Sequence, residues 1–427
     1  MLITSILRIY NKSLTLASNL IELGMHSKNI QILKKKSAIT LLMIVVFFAA
    51  NISHVDAQGS ITVGAARMEI YIPLLKNKHV AIVGNQTSMV NGQHLLDTLI
   101  GLGIQVNKVF CPEHGFRGIG SAGEKIADDV DPKTGVAIKS LYGNNKKPSA
   151  TDLAGIEIVL FDLQDVGARF YTYISTMHYV MQACAAQHIP VVILDRPNPN
   201  GYYIDGPVLQ DSFASFVGMH KVPVVYGMTI GEYAKMIKGE SWLGNGLSCD
   251  LIVIPCLGYT HKSRYVLPVN PSPNLPNQRA IFLYPTLCFF EGTVISVGRG
   301  TNKPFQQYGH PLLLNSETSF VPKSMLGATN PPFVNEVCFG FDLSNSNDMP
   351  DTLNAGIQLN IIIDAYKNFP KKDEFFNSFY KRLAGNDLLE LQIKKGMSAA
   401  AIKATWQNDL NNFKLLRKKY LLYEDFE

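Results

Sequence analysis

Cysteine is scarce in this chain of 427 residues: six stand at positions 111, 184, 249, 256, 288 and 338, and none forms a CxxC pair. That argues against a structural zinc site and against a disulfide scaffold. Cys249 and Cys256 would pair in an oxidising compartment; the alternative is that they are buried free thiols in strands. Charge is also sparse, at 17% of residues with a net +5, and the lysines gather at the two ends, Lys34 to Lys36 and Lys414 to Lys419, rather than along a stripe. Nucleic acid is therefore not an expected partner. There is no HExxH or paired-histidine spacing for a zinc ligand set and no G-x-S-x-G for a serine nucleophile. Internal repeats and low-complexity segments are absent too.

The N-terminal region carries three lysines, the apolar run Ala38 to Ala50 and a polar stretch ending Val55-Asp-Ala57 before Gln58. This order reads as a secretory signal, and the run is short for a bilayer span, which argues against the alternative of an N-terminal anchor. Residues 1–33 read as an upstream extension, with Met25 able to serve as a start. The expected product is exported, periplasmic or secreted, with no stable membrane span after signal removal.

A chain this long exceeds one hydrophobic core and predicts two domains. The pattern from Gly64 alternates buried strands with amphipathic helices: strands His79–Gly84, Val106–Cys111, Ile156–Asp162 and Val191–Asp195, and helices Asn91–Gly101 and Thr172–His188. Such alternation predicts an α/β fold, a Rossmann-like, mostly parallel sheet covered on both faces, with ligands beyond the carboxyl ends of its strands. Val222–Tyr226 and Leu251–Pro255 read as further strands. Between them, Thr229-Ile-Gly-Glu232 has the form of a capping box opening a helix, which makes Glu232 structural. After the proline-rich segment Pro268 to Pro276 the pattern becomes mixed: strands Thr293–Val297 and Val337–Phe341, a helix Asn354–Phe369, and two more helices near the end, the last Ser398–Tyr420. The expected division is 1–57 signal with extension, 58–285 Rossmann-like catalytic domain, and 286–427 smaller α+β C-terminal domain.

The chemistry concentrates at the end of the second strand, in Val109-Phe-Cys-Pro-Glu-His-Gly-Phe-Arg-Gly-Ile-Gly-Ser-Ala-Gly-Glu124. Gly118 to Gly123 satisfies G-x-G-x-x-G, but the glycines begin well past the strand end and no good helix follows, which argues against a dinucleotide. No cofactor is expected. Glycosidic cleavage needs two carboxyls, and this loop offers Glu113 and Glu124, with His114 placed to orient or tune the first. Metal binding by Glu113, His114 and the aspartates 128, 129 and 131 is the competing use, without a recognised ligand spacing to support it. Arg169, beside Phe170, Tyr171 and Tyr173, suits a carboxylate clamp next to a sugar platform, as does Arg299 in its glycine-flanked turn; the bland alternative for Arg169 is a salt bridge to Asp165.

Taken together, Pro112-Glu-His-Gly-Phe-Arg-Gly118, Ala122-Gly-Glu124, Ser140-Leu-Tyr-Gly143, Asp162 to Tyr173, Leu194-Asp-Arg-Pro-Asn-Pro199, Pro271-Ser-Pro-Asn274, Glu291-Gly-Thr293 and Gly298 to Phe305 resemble the DUF1343 family. The tail, with Trp406 and Arg417 to Tyr423, continues the match, which runs from about residue 64 to the end. Characterised members of that family are exo-β-N-acetylmuramidases that release N-acetylmuramic acid from non-reducing ends of peptidoglycan fragments. The resemblance implies two domains with a cleft between them, a murein-derived saccharide as partner, and Glu113 as leading catalytic carboxylate. Expected catalytic residues are thus Glu113, Glu124 and His114. Expected substrate-binding residues are Asn85, Arg117, Asp165, Arg169, Tyr171, Tyr173, Asn274, Glu291 and Arg299. The rival readings are a non-catalytic cell-wall saccharide-binding protein using the same cleft, and a metal-assisted hydrolase.

Overall fold

Twelve strands organise the described residues: β1 (Val80–Gly84), β2 (Met89–Val90), β3 (Gln93–His94), β4 (Val106–Cys111), β5 (Asp129–Val130), β6 (Ala137–Ser140), β7 (Ile158–Asp162), β8 (Val191–Leu194), β9 (Leu251–Ile254), β10 (Gln307–His310), β11 (Thr318–Phe320) and β12 (Cys338–Asp342). They belong to a computed structural model that describes residues 61–113, 115–116, 129–344 and 356–427. The expected signal segment, His114, Arg117, the glycine fingerprint and Glu124 lie outside the described residues.

Seven strands form one sheet in the order β5-β6-β4-β1-β7-β8-β9, all parallel except the β5 edge, which runs antiparallel to β6. From β6 across to β9 this is the doubly wound order of a Rossmann-like sheet, with the direction of winding reversing beside β1. The strand sequences explain the burial. Ala81, Val83, Phe110, Val159, Phe161 and Ile193 pack into one core, while Val80, Ile82, Val109, Leu160, Val192 and Leu194 pack into the core on the other face. With both faces covered, alternation of apolar and polar residues disappears and the strands read as continuous apolar runs.

The later residues build a smaller antiparallel sheet, β10-β12-β11, and a set of short helices. The core that contains Phe110 and Phe161 continues without a break through Tyr284, Phe289, Phe290, Tyr380 and Trp406. Residues Ile61–Glu427 cluster as one compact unit, and the helix Gln278–Leu287 crosses the expected boundary at 285.

Several elements differ from expectation for identifiable reasons. The predicted helix from Asn91 begins only at Leu95, because Asn91 and Gly92, at φ 49° and 84°, form the tight turn of the β2–β3 hairpin. Val222–Tyr226 makes no strand; Val225 forms only isolated bridges to Ala168 and Asp205. Thr293–Val297 likewise bridges at single residues, Thr293 to Phe376 and Ser296 to Gly309. The helix expected from Asn354 runs from Leu359 to Asn368. Four helices rather than two close the chain, and the one expected over Ser398–Tyr420 divides at Trp406 into Ala399–Thr405 and Gln407–Lys418.

The capping box is present: the Thr229 hydroxyl accepts from Glu232 N–H, and the Glu232 carboxylate accepts from Thr229 N–H. The other oxygen of Glu232 faces His261 Nε2 at 3.0 Å and accepts from Leu422 N–H at 2.8 Å. Beside it, the Tyr423 hydroxyl donates to Asp195 at the end of β8 and accepts from Cys256 N–H at 2.8 Å. The C-terminal tail is thereby fastened to the first sheet. All six cysteines are buried free thiols. Among the described residues no helix is long and apolar enough to cross a membrane.

Candidate active site

The carboxyl ends of β1, β4, β7 and β8 carry Asn85, Glu113, Asp162 and Asp195, where a doubly wound sheet presents its ligand site. Two of these four are spent on structure. Asp162 forms a buried two-point ion pair with Arg196, Nε to Oδ1 at 2.5 Å and Nη2 to Oδ2 at 2.8 Å. Asp195 accepts from Thr229, Gly231 and Tyr423, and burial raises its carboxyl to about 6.

Glu113, half-buried, faces a small hollow of about 60 Å³ that it lines with Phe170, Tyr171, Thr172, Tyr173, Ser272, Asn274, Leu275, Tyr284, Arg299 and Phe305. Asn85 builds its floor, donating through Nδ2 to the Tyr173 hydroxyl at 2.8 Å while its Oδ1 accepts from Thr87 N–H and Oγ1. The Tyr171 hydroxyl donates to the Pro271 carbonyl at 2.9 Å, and its ring meets that of Tyr173 edge-on with centroids 4.7 Å apart. The proline-rich segment is thus the wall that positions Ser272 and Asn274. Burial, with Glu113 nearby, raises the Tyr173 hydroxyl well above its ordinary value, so the phenol stays protonated.

Arg299 enters from the other side. Its Nε donates to Glu291 Oε1 at 2.7 Å, its guanidinium stacks over Phe305 at 4.9 Å, and its Nη1 is buried with no hydrogen-bond partner. Burial pulls this guanidinium toward neutrality, but Glu291 outweighs burial and holds it charged. Phe305, fully buried, holds its ring in place with a left-handed backbone, φ 54°, a strained conformation of the kind that clusters at ligand sites. The arrangement supplies one carboxyl beside a protonated phenol, an aromatic enclosure and a fixed cation with an unspent donor.

Of the expected site residues, the structure therefore brings Glu113, Tyr171, Tyr173, Asn274 and Arg299 to one hollow, with Asn85 and Glu291 as their direct supports. His114, Arg117 and Glu124 fall outside the described residues.

Arg169 and Asp165 lie away from the hollow. Arg169 is completely buried, and its two terminal nitrogens donate to the carbonyls of Pro207, Val222, Leu383 and Ala384 at 2.7–2.9 Å. It clamps four backbone segments together and does not line the hollow. Nor does it pair with Asp165, whose Oδ2 accepts from the Tyr226 hydroxyl and from Gly167 N–H. Burial raises Asp165 to about 6 and lowers Arg169 to about 9, the mark of groups held in the core without an opposite charge. Asp131, weighed as a metal ligand, is buried and accepts from Thr134 Oγ1 at 2.7 Å to close its own turn.

Tyr142 was missed. Its hydroxyl hydrogen-bonds Glu113, and burial first, then Glu113, pushes it far above its ordinary value, so it donates to the carboxylate. Its only signal in the sequence was membership of the Ser140-Leu-Tyr-Gly143 motif. Ser272, also on the wall, had only its place in the Pro271-Ser-Pro-Asn274 motif as a signal, and Tyr284 had none beyond its position in an apolar segment.

The family models of exo-β-N-acetylmuramidase NamZ match this chain, the N-terminal model over residues 80–279 and the C-terminal model over 282–423. The chain is 36% identical over 375 residues to the peptidoglycan β-N-acetylmuramidase NamZ of Bacillus subtilis (strain 168), covering 83% of this chain and 89% of that protein. Two DUF1343-family crystal structures from Bacteroides fragilis NCTC 9343 share the fold. One has TM-score 0.80 and 47% identity, covering 86% of this chain and all of that one; the other has TM-score 0.73 and 26% identity, covering 85% and 99%. With the parallel sheet, the smaller C-terminal sheet and Glu113 at a strand end, these likenesses establish a hydrolase rather than a mere saccharide binder: the chain belongs to the NamZ family of glycoside hydrolases.

Proposed function

We propose that this protein removes N-acetylmuramic acid from the non-reducing ends of peptidoglycan fragments, and that it does so after export, in cell-wall turnover. The observation that carries the reading is Glu113 and Arg299 lining one aromatic hollow, with the Arg299 Nη1 unspent. N-acetylmuramic acid differs from its neighbouring sugar by a lactyl carboxylate, and a fixed guanidinium with a free donor is the group that selects it.

In this mechanism the terminal sugar binds at the hollow with its carboxylate on Arg299. Glu113, oriented by Tyr142, gives its proton to the glycosidic oxygen as the bond to the anomeric carbon breaks; the departing sugar leaves as an alcohol, and a water oxygen takes its place on the anomeric carbon while the water's proton passes to a carboxylate. Glu124, from the same loop, serves as second carboxylate or substrate ligand, His114 orients or tunes Glu113, and Arg117 binds substrate. Export rests on the lysines, apolar run and Val55-Asp-Ala57 of residues 34–57. The test is product analysis after incubation with the N-acetylmuramic acid–N-acetylglucosamine disaccharide. Free N-acetylmuramic acid is expected from wild type, and Glu113→Gln should lower its release by about a thousandfold while the thermal midpoint is kept. Undiminished release by that variant would remove Glu113 from the reaction.

A further inference from the structure

A second hollow, wider at about 590 Å³, adjoins the first on the C-terminal sheet, lined among others by Asn302, Lys303, Ser319, Phe320 and Lys323. Two covalent or hydrogen-bonded walls join it to the active site. Arg299 lines the first hollow and the next residue, Gly300, lines the second; the Gly300 carbonyl accepts from Lys323 N–H at 2.8 Å. Gly300 has φ +79°, and a Cβ there would lie 2.6 Å from the Lys323 carbonyl, so this junction is built for close approach. On the opposite side, Asn274 of the first hollow donates through Nδ2 to the Gly327 carbonyl at 2.8 Å, fixing the turn whose Met325 lines the second.

The chemistry of the second hollow differs from the first. Lys303 is paired with Asp342 at 2.5 Å, but no described carboxylate pairs with the exposed Lys323. Phe320 lies half-buried beside exposed Ser319 and Asn302. An aromatic face with neutral hydrogen-bonding groups suits a sugar, and one uncompensated ammonium suits a single carboxylate.

Resting on the proposed function, the geometry points to the second hollow as the subsite for the glycan chain beyond the scissile bond, with Lys323 meeting the lactyl carboxylate of the next N-acetylmuramic acid. A peptide-free glycan chain carries that carboxylate on every second sugar, so the first leaving sugar is neutral and the one after it is an anion. The enzyme on this view works along a chain rather than on a disaccharide.

The experiment compares kcat/KM on the peptide-free disaccharide and on the corresponding tetrasaccharide, each beginning with N-acetylmuramic acid. Wild type should favour the tetrasaccharide by on the order of tenfold, and Lys323→Glu should lower that ratio by about threefold or more, the scale of one exposed ion pair reversed in sign. Ser319→Trp, which fills the hollow from an exposed position, should erase the preference. Equal rates on the two substrates, or a ratio untouched by both variants, would overturn the subsite while leaving the muramidase reading intact. A gain on a peptide-bearing disaccharide that Lys323→Glu abolishes would also overturn it, giving the hollow to the stem peptide. No turnover of either saccharide by wild type would instead sink the muramidase reading, and the subsite with it.

Discussion

Arg299 and Glu291 are joined along one edge of the guanidinium, Nε to Oε1 at 2.7 Å, which leaves Nη1 as a buried donor without a partner on the wall of the active-site hollow. Such a donor is costly to leave unmade and strong when a carboxylate meets it. Arg299→Ala should therefore raise KM for N-acetylmuramic acid substrates on the order of ten- to a hundredfold. The loss should be much smaller for a substrate whose lactyl carboxyl is reduced to an alcohol. Equal losses on both would show that Arg299 serves the fold rather than the anion.

Tyr142 is a positioning residue for Glu113. Tyr142→Phe keeps the ring and removes only the hydroxyl, so kcat should fall about tenfold with KM nearly unchanged, the pattern of an interaction made chiefly in the transition state. Steady-state kinetics on the disaccharide check this; a rise in KM at constant kcat would assign the hydroxyl to substrate binding instead.

Arg169 predicts a loss of stability rather than of recognition. Arg169→Leu removes the donors to four buried carbonyls, in segments as distant as Pro207 and Ala384, and should cost about 3 kcal/mol or more. A urea midpoint equal to that of wild type would refute the clamp.

Asp165 gives a pH dependence. Burial raises its carboxyl to about 6 in the folded state, above the unfolded carboxylate near 3.9. The sign follows: the neutral acid is the form the fold prefers, so its contribution is complete below the unfolded value and is lost as pH rises through about 6. Asp165→Asn cannot ionise, and its thermal midpoint should gain on wild type between about pH 4 and pH 7. A difference that stays constant over that range would contradict the assignment.

How much of this was legible in the chain depended on how local each cause is. The strands β1, β4, β7 and β8 were visible because a doubly covered parallel sheet demands continuous apolar runs, and Glu113 was visible because it ends one of them. The Thr229–Glu232 capping box was visible because its partners are neighbours in sequence. Asn91-Gly92 was also readable as a hairpin turn, but the leucines that follow it carried helical spacing and masked it. Tyr142 and Arg169 were not readable. The partners of Arg169 are backbone carbonyls from distant segments, and backbone carbonyls leave no mark in a sequence. Its neighbours Phe170 and Tyr171 suggested a platform, and Tyr171 does line the hollow while Arg169 turns away from it.

The fastening of the tail sets an order of assembly. Tyr423 reaches Asp195 across 228 residues of chain, and Leu422 reaches Glu232 across 190. On a ribosome, the Rossmann-like sheet would emerge with Asp195 and Glu232 still lacking these partners, and would wait for the tail before its floor closes. The Rossmann-like part cannot then be cut out with all its partners kept: residues made long after it act as its latch.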